Sequence, residues 1–124
     1  MVMTETSIVL DTNVALYFLG NRLTTPLPAG KYFVSVITEM ELLSYPSMSE
    51  DEELQVRDFL TKITVVGLDN NIKELAIAFR KNYKLKLPDA IIAATAKILN
   101  ATLLTNDLKL TNLTEINTQS VSIS

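Results

Sequence analysis

Short apolar runs alternate along this chain with segments of helical periodicity. Ser7-Ile8-Val9-Leu10, Lys31 to Val36, Thr64 to Leu68 and Ala101 to Leu104 read as strands, since apolar, β-branched and aromatic residues fill them and turn-forming residues bound most of them. Val14 to Leu19 reads as a helix ending at Gly20, and Asn21 to Gly30, with two prolines, reads as a loop. Thr38 is placed to cap Glu39-Met40-Glu41-Leu42-Leu43, with Glu41 closing a capping box, and Pro46 stops that helix. Ser49-Glu50-Asp51-Glu52 opens another helix that runs through Leu54, Val56, Phe59, Leu60 and Ile63. Asp69 or Asn71 starts an amphipathic helix in which Ile72, Leu75, Ala76, Phe79 and Tyr83 share one face. Lys73, Glu74, Arg80, Lys81 and Lys84 take the wet side.

The most apolar stretch follows. Ten of the thirteen residues from Leu87 to Leu99 are Ala, Ile, Leu or Pro, so the helix they form has almost no polar face and is predicted to be buried. Pro88 suits its first position, and Asn100 suits its left-handed end. Strands alternating with helices imply a parallel sheet covered on both faces. The expectation is one three-layer α/β/α domain over residues 1–124, with a mainly parallel sheet of four to five strands. The fifth, an edge strand, falls within Leu113 to Ile123.

Composition narrows the chemistry. With 48% hydrophobic and 20% charged residues the chain is an ordinary globular domain. No apolar run is long enough to cross a bilayer, and Met1 to Ser7 lack a signal-peptide pattern, so a cytoplasmic location is expected. The chain has neither Cys nor His, which excludes disulfides, thiolate sites, imidazole ligands and the Ser-His-Asp and Cys-His triads. An enzyme built from it would work with carboxylates, hydroxyls, Lys, Arg and hard cations such as Mg²⁺ or Mn²⁺.

Acids stand where such a site would need them. Asp11 follows the first strand directly, and Asp107 follows Leu104-Thr105-Asn106 in the same way. Glu41 and Asp89 are expected in first turns of helices. In a parallel sheet, strand C-termini and helix N-termini converge on one edge. Each acid also has a plainer reading, as a helix cap or turn residue. Glu39 competes with Glu41. Four clustered carboxylates disfavour ionisation unless a divalent cation joins them. A shared two-metal site would put them within roughly 8 Å of one another. Net charge is −3, but setting those four acids aside leaves 11 basic residues against 10 acids. Arg80, Lys81, Lys84 and Lys86 fall within seven positions, either as a solvated helix face or as candidate RNA contacts.

The ordered set Asp11-Thr12-Asn13, Thr38-x-x-Glu41-Leu42, Leu87-Pro88-Asp89-Ala90 and Leu104-Thr105-Asn106-Asp107 resembles the four motifs of PIN-domain ribonucleases, above all the short prokaryotic VapC-type toxins. The resemblance spans nearly the whole chain. It implies that Asp11, Glu41, Asp89 and Asp107 are metal-binding and catalytic, that Thr105 supplies a site hydroxyl, and that Asn13 is a polar group behind the first acid. It implies an endoribonuclease dependent on Mg²⁺ or Mn²⁺, a homodimer, and a cognate antitoxin that inserts into the site groove. A response-regulator receiver domain would need an acidic pair after the first strand, and a HAD-type phosphatase would need Asp-x-Asp; Thr12 and Asn13 satisfy neither. The remaining alternative is a catalytically silent PIN-fold module that binds RNA or a protein partner.

Overall fold

The computed structural model describes residues 5–124. Met1 to Thr4, part of the segment read as lacking a signal peptide, lie outside the described residues. The elements in order are β1 (Ser7–Leu10), α1 (Thr12–Leu19), β2 (Lys31–Ser35), α2 (Val36–Leu43), α3 (Glu50–Thr61), β3 (Thr64–Val66), α4 (Asn70–Tyr83), α5 (Leu87–Ile98), β4 (Thr102–Leu104), α6 (Leu108–Thr111) and β5 (Asn117–Gln119). The sheet has five strands in the order β3-β2-β1-β4-β5, and every pairing is parallel. This is the expected α/β architecture, with the fifth strand on the predicted edge.

Alternation along the strands feeds two cores. Val9, Phe33 and Leu103 point to one face, where α4 and α5 cover them with Ile72, Ala76, Phe79 and the buried run from Ala90 to Ala94. Ile8, Leu10, Val34 and Leu104 point to the other, against Val14 and Ala15 of α1 and Val56 and Phe59 of α3. Helix α2 touches both cores: Ile37 packs on the first and Leu42 joins the second. Helix α5 is buried from Ala90 through Ala96 and lies along α4 while contacting β1, β2 and β4. Its alanines permit that close approach, and it is the central helix its composition predicts.

Chain order sets the position of the site. After β1 the chain moves outward through β2 and β3, then returns to place β4 on the other side of β1. The two windings diverge between β1 and β4, the switch point where α/β sheets open a crevice at their carboxyl edge. Leu10 pairs with Leu104, so Asp11 and Thr105 leave the sheet side by side, with the Asp11 amide donating to the Leu104 carbonyl at 3.2 Å. At the opposite edge, a Cβ on Gly30 would lie 2.6 Å from the Thr6 carbonyl oxygen and 2.7 Å from Ile8 Cδ1, so only glycine lets β2 start this close to β1.

Local boundaries depart from the sequence reading where two caps compete. Ser35, not Thr38, caps α2: its hydroxyl accepts from the Ile37 amide, and Val36 belongs to the helix rather than the strand. Thr38 therefore lies inside α2, and Glu41 sits in its second turn rather than its first. Asp69 caps α4, and Ser49 and Glu52 form the expected capping box on α3. After α1 the left-handed residue is Asn21, while Gly20 stays right-handed. Asn100 ends α5 with the expected positive φ. Among the described residues no helix is long and apolar enough to cross a membrane.

Ile92 is 2% exposed in the α5 core, whereas Leu54 on α3 is 65% exposed. Ile92→Ala is expected to lower unfolding free energy by about 2–5 kcal/mol, and Leu54→Ala by no more than about 0.5 kcal/mol. Urea unfolding followed by circular dichroism, at unchanged slope, measures both.

Candidate active site

The carboxyl edge of the sheet gathers the acids that the sequence singles out. Asp11 ends β1 and caps α1: its Oδ1 accepts from the Val14 amide at 2.7 Å. Its Oδ2 accepts from the Thr105 hydroxyl. Asp11 is 5% exposed and Thr105 is fully buried. Burial pushes the Asp11 carboxyl above its ordinary value, and the nearby charge of Asp107 adds to the rise. The bonds from Thr105 and the backbone amides pull the other way and only partly offset it.

Asp107 caps the short helix α6, its Oδ1 accepting from the Lys109 amide at 2.9 Å. Its own amide donates to Thr105 Oγ1 at 3.1 Å. The cap reading and the site reading are both geometrically satisfied at this residue and at Asp11. Asn106, between Thr105 and Asp107, exchanges two hydrogen bonds with the Val121 backbone and ties this turn to the C-terminal segment.

Asp89 lies in the first turn of α5, three residues after Lys86, the residue that precedes the helix. Its carboxyl is raised first by burial, then by the negative charges of Asp107, Asp11 and Glu41, in that order; Lys86 opposes the rise. Asp89 therefore feels the charge of each of the other three acids. Glu41 joins them from α2, where its Oε1 accepts from the Thr12 hydroxyl at 2.6 Å. Glu39 makes no such bond and is absent from the charges acting on Asp89. The two ion pairs among the described residues, Arg57 with Glu53 and Lys62 with Asp58, involve none of the four.

The cluster is open. Among the described residues, no group of three or more acidic side chains is already arranged to hold a metal ion. The compact grouping that a shared two-metal site would need is therefore not found among the described residues. The donor set still fits a hard divalent ion. It is all oxygen, carries a charge that no basic side chain neutralises by direct pairing, and is fixed at Asp11 by two hydrogen bonds.

Other expected residues divide. Asn13 is exposed, and its side chain makes no hydrogen bond to the acids; the polar group behind the cluster is its neighbour Thr12. Arg80, Lys81, Lys84 and Lys86 are all exposed, and Lys86 is the one whose charge reaches Asp89. Thr38 reads from the sequence only as a cap, because a sequence does not show which of two nearby hydroxyls takes the cap.

Comparison with known proteins agrees with this geometry. The PIN domain family profile matches residues 8–116. Similar solved structures include a toxin–antitoxin complex from Klebsiella pneumoniae, 28% identical over 93% of this chain and 96% of that one, with a TM-score of 0.74. VapBC2 from Rickettsia felis, bound to a fragment of promoter DNA, is 18% identical over 94% and 100% of the two chains, with a TM-score of 0.79. DNA-bound VapBC from Salmonella typhimurium is 20% identical over 93% and 98%, with a TM-score of 0.76. No curated protein sequence matches the chain. A family profile covering most of the sequence, matched by a parallel sheet whose windings diverge between β1 and β4, makes this chain a member of the PIN-domain family.

Proposed function

We propose that this PIN domain is the nuclease toxin of a toxin–antitoxin pair, an endoribonuclease that hydrolyses RNA phosphodiester bonds with Mg²⁺ or Mn²⁺. The observation that carries the reading is Asp89, a half-buried carboxylate that feels the charges of Asp11, Glu41 and Asp107 together. A fold gains nothing in stability from such an arrangement, so its use lies in binding something positive. Asp11, Glu41, Asp89 and Asp107 would hold the ion or ions. A divalent cation there supplies charge to activate water and to stabilise the leaving oxygen of an in-line displacement.

The chain's own groups do the rest. Thr105 keeps Asp11 in one rotamer, and the buried β1/β4 edge beneath it gives the site a rigid floor. Lys86, exposed beside Asp89, supplies a positive charge for an RNA phosphate, and Arg80, Lys81 and Lys84 extend the basic patch along the end of α4.

The partners belong to the same proposal. A groove of about 420 Å³ opens between α1, α2 and α3 and is lined by Leu16, Leu19, Leu42, Tyr45, Met48 and Val56. These residues lie on α1, α2, α3 and the segment between α2 and α3, and an apolar groove beside the helices that carry Thr12 and Glu41 suits an antitoxin segment. The solved neighbours from Klebsiella, Rickettsia and Salmonella are toxin–antitoxin complexes, which supports a protein inhibitor for this chain as well. A homodimer acting in the cytoplasm completes the reading.

Wild-type protein is expected to cleave RNA with Mg²⁺ or Mn²⁺ and to stop when EDTA is added. Asp11→Asn and Asp89→Asn are expected to lower the rate by about 100-fold or more, the loss typical of removing one electrostatic contributor to a transition state. A gel assay of labelled RNA measures this. RNA binding without cleavage under either metal would instead identify a silent module.

Charge repulsion gives an independent test in the metal-free protein. Asp89 is raised above its ordinary 3.8 in the fold, so its ionised form destabilises the folded state, and lowering the pH relieves that cost. In EDTA at pH 7, Asp89→Asn is therefore expected to melt above wild type. The gap should narrow as the pH falls, because protonating Asp89 in wild type removes the same charge. Mn²⁺ is expected to raise the melting temperature of wild type and to have much less effect on the variant. Differential scanning calorimetry measures all three.

A further inference from the structure

Thr12 and Thr38 are each free of the capping work that threonines near helix starts usually do. The N-cap of α1 is Asp11, and the N-cap of α2 is Ser35. A buried threonine inside a helix commonly turns its hydroxyl back to the carbonyl four residues earlier, as Thr95 does to Ile91 at 2.8 Å. Thr38, fully buried, instead points its hydroxyl across to Thr12 on another helix, with 3.0 Å between the two Oγ1 atoms. Thr12 reaches on to Glu41 Oε1 at 2.6 Å.

Proton bookkeeping gives this chain a direction. An ionised carboxylate only accepts, and a threonine hydroxyl has one proton. Thr12 must therefore donate to Glu41, which leaves its oxygen to accept from Thr38. The same wiring recurs across the rim: the Asp107 amide donates to Thr105, and Thr105 donates to Asp11. Two of the four acids are thus held by a threonine that is itself aimed by a second donor. Glu41 needs such a hold, because it is a long side chain whose charge opposes that of Asp89.

We infer that Thr12, aimed by Thr38, is a positioning residue that holds the Glu41 carboxylate at the site in readiness for a divalent cation. The inference rests on the proposed nuclease reading and adds to it a relay joining α1 to α2. Thr12 touches neither substrate nor reacting atoms; it acts through Glu41.

Isothermal titration calorimetry of the full chain with Mn²⁺ tests it, using wild type, Thr12→Val, Thr12→Ser and Thr38→Val. Thr12→Val keeps the shape but removes the donor and is expected to weaken Mn²⁺ binding by about 10-fold or more, the usual effect of losing a partner behind a metal ligand. Thr12→Ser restores the donor and most of the affinity. Thr38→Val leaves the donor but not its aim and is expected to fall between. In the cleavage assay Thr12→Val should lower kcat and leave KM for RNA nearly unchanged. Should Thr12→Val fail to fold, Thr38→Val against wild type carries the same comparison. Wild type that binds no Mn²⁺ would remove the nuclease reading and the relay with it. Wild type that binds Mn²⁺ while Thr12→Val or Thr38→Val binds it equally well would overturn the relay alone.

Discussion

The candidate site of this fold depends on negative charge gathered around Asp89 at the end of a parallel sheet. Carboxylates near one another, partly withdrawn from water, raise each other's cost of ionisation. Here Asp11 and Asp89 both bear that cost, and burial is the larger cause for each. Such an arrangement persists only where surrounding structure imposes it. The imposition comes from the register of β1 with β4, which sets Asp11 beside Thr105, and from helix α5, whose buried alanine-rich body fixes where its first turn can be.

Stability and function therefore divide the chain unequally. The two apolar cores on either side of the sheet hold the scaffold, and the polar rim spends some of that stability to stay preorganised. Hydrogen bonding at the rim is directional. Each oxygen of Asp11 accepts one bond, Glu41 accepts one from Thr12, and Asp89 takes none from the described residues. Asp89 is thus the least restrained of the acids and the one most exposed to the charges of the others, with Lys86 as its nearby counterweight.

Much of this was legible in the sequence, because strong periodicity and strong punctuation coincide. The apolar stretch from Leu87 to Leu99 could only be a buried helix, and strands that stop at Asp11 and before Asp107 put those acids on one edge of a parallel sheet. What escaped were contests between adjacent polar residues. Ser35 and Thr38 both suit a cap, and strand β2 ends a residue early because Ser35 wins. Helix α6, four residues long, is too short to show periodicity, and Asp107 creates it by capping. The swap of roles between Asn13 and Thr12 depends on which way two neighbouring side chains turn at the start of α1, and no pattern of residue types encodes that.

The account depends on these acids being a cation site held ready by the fold. Anomalous diffraction at the manganese edge, from crystals grown with Mn²⁺, tests that most directly. The account predicts a peak within bonding distance of the Asp11 and Asp89 carboxylates, with Glu41 or Asp107 drawn in as a further ligand directly or through water. Manganese bound only elsewhere, or these carboxylates unmoved with no peak between them at saturating Mn²⁺, would contradict it.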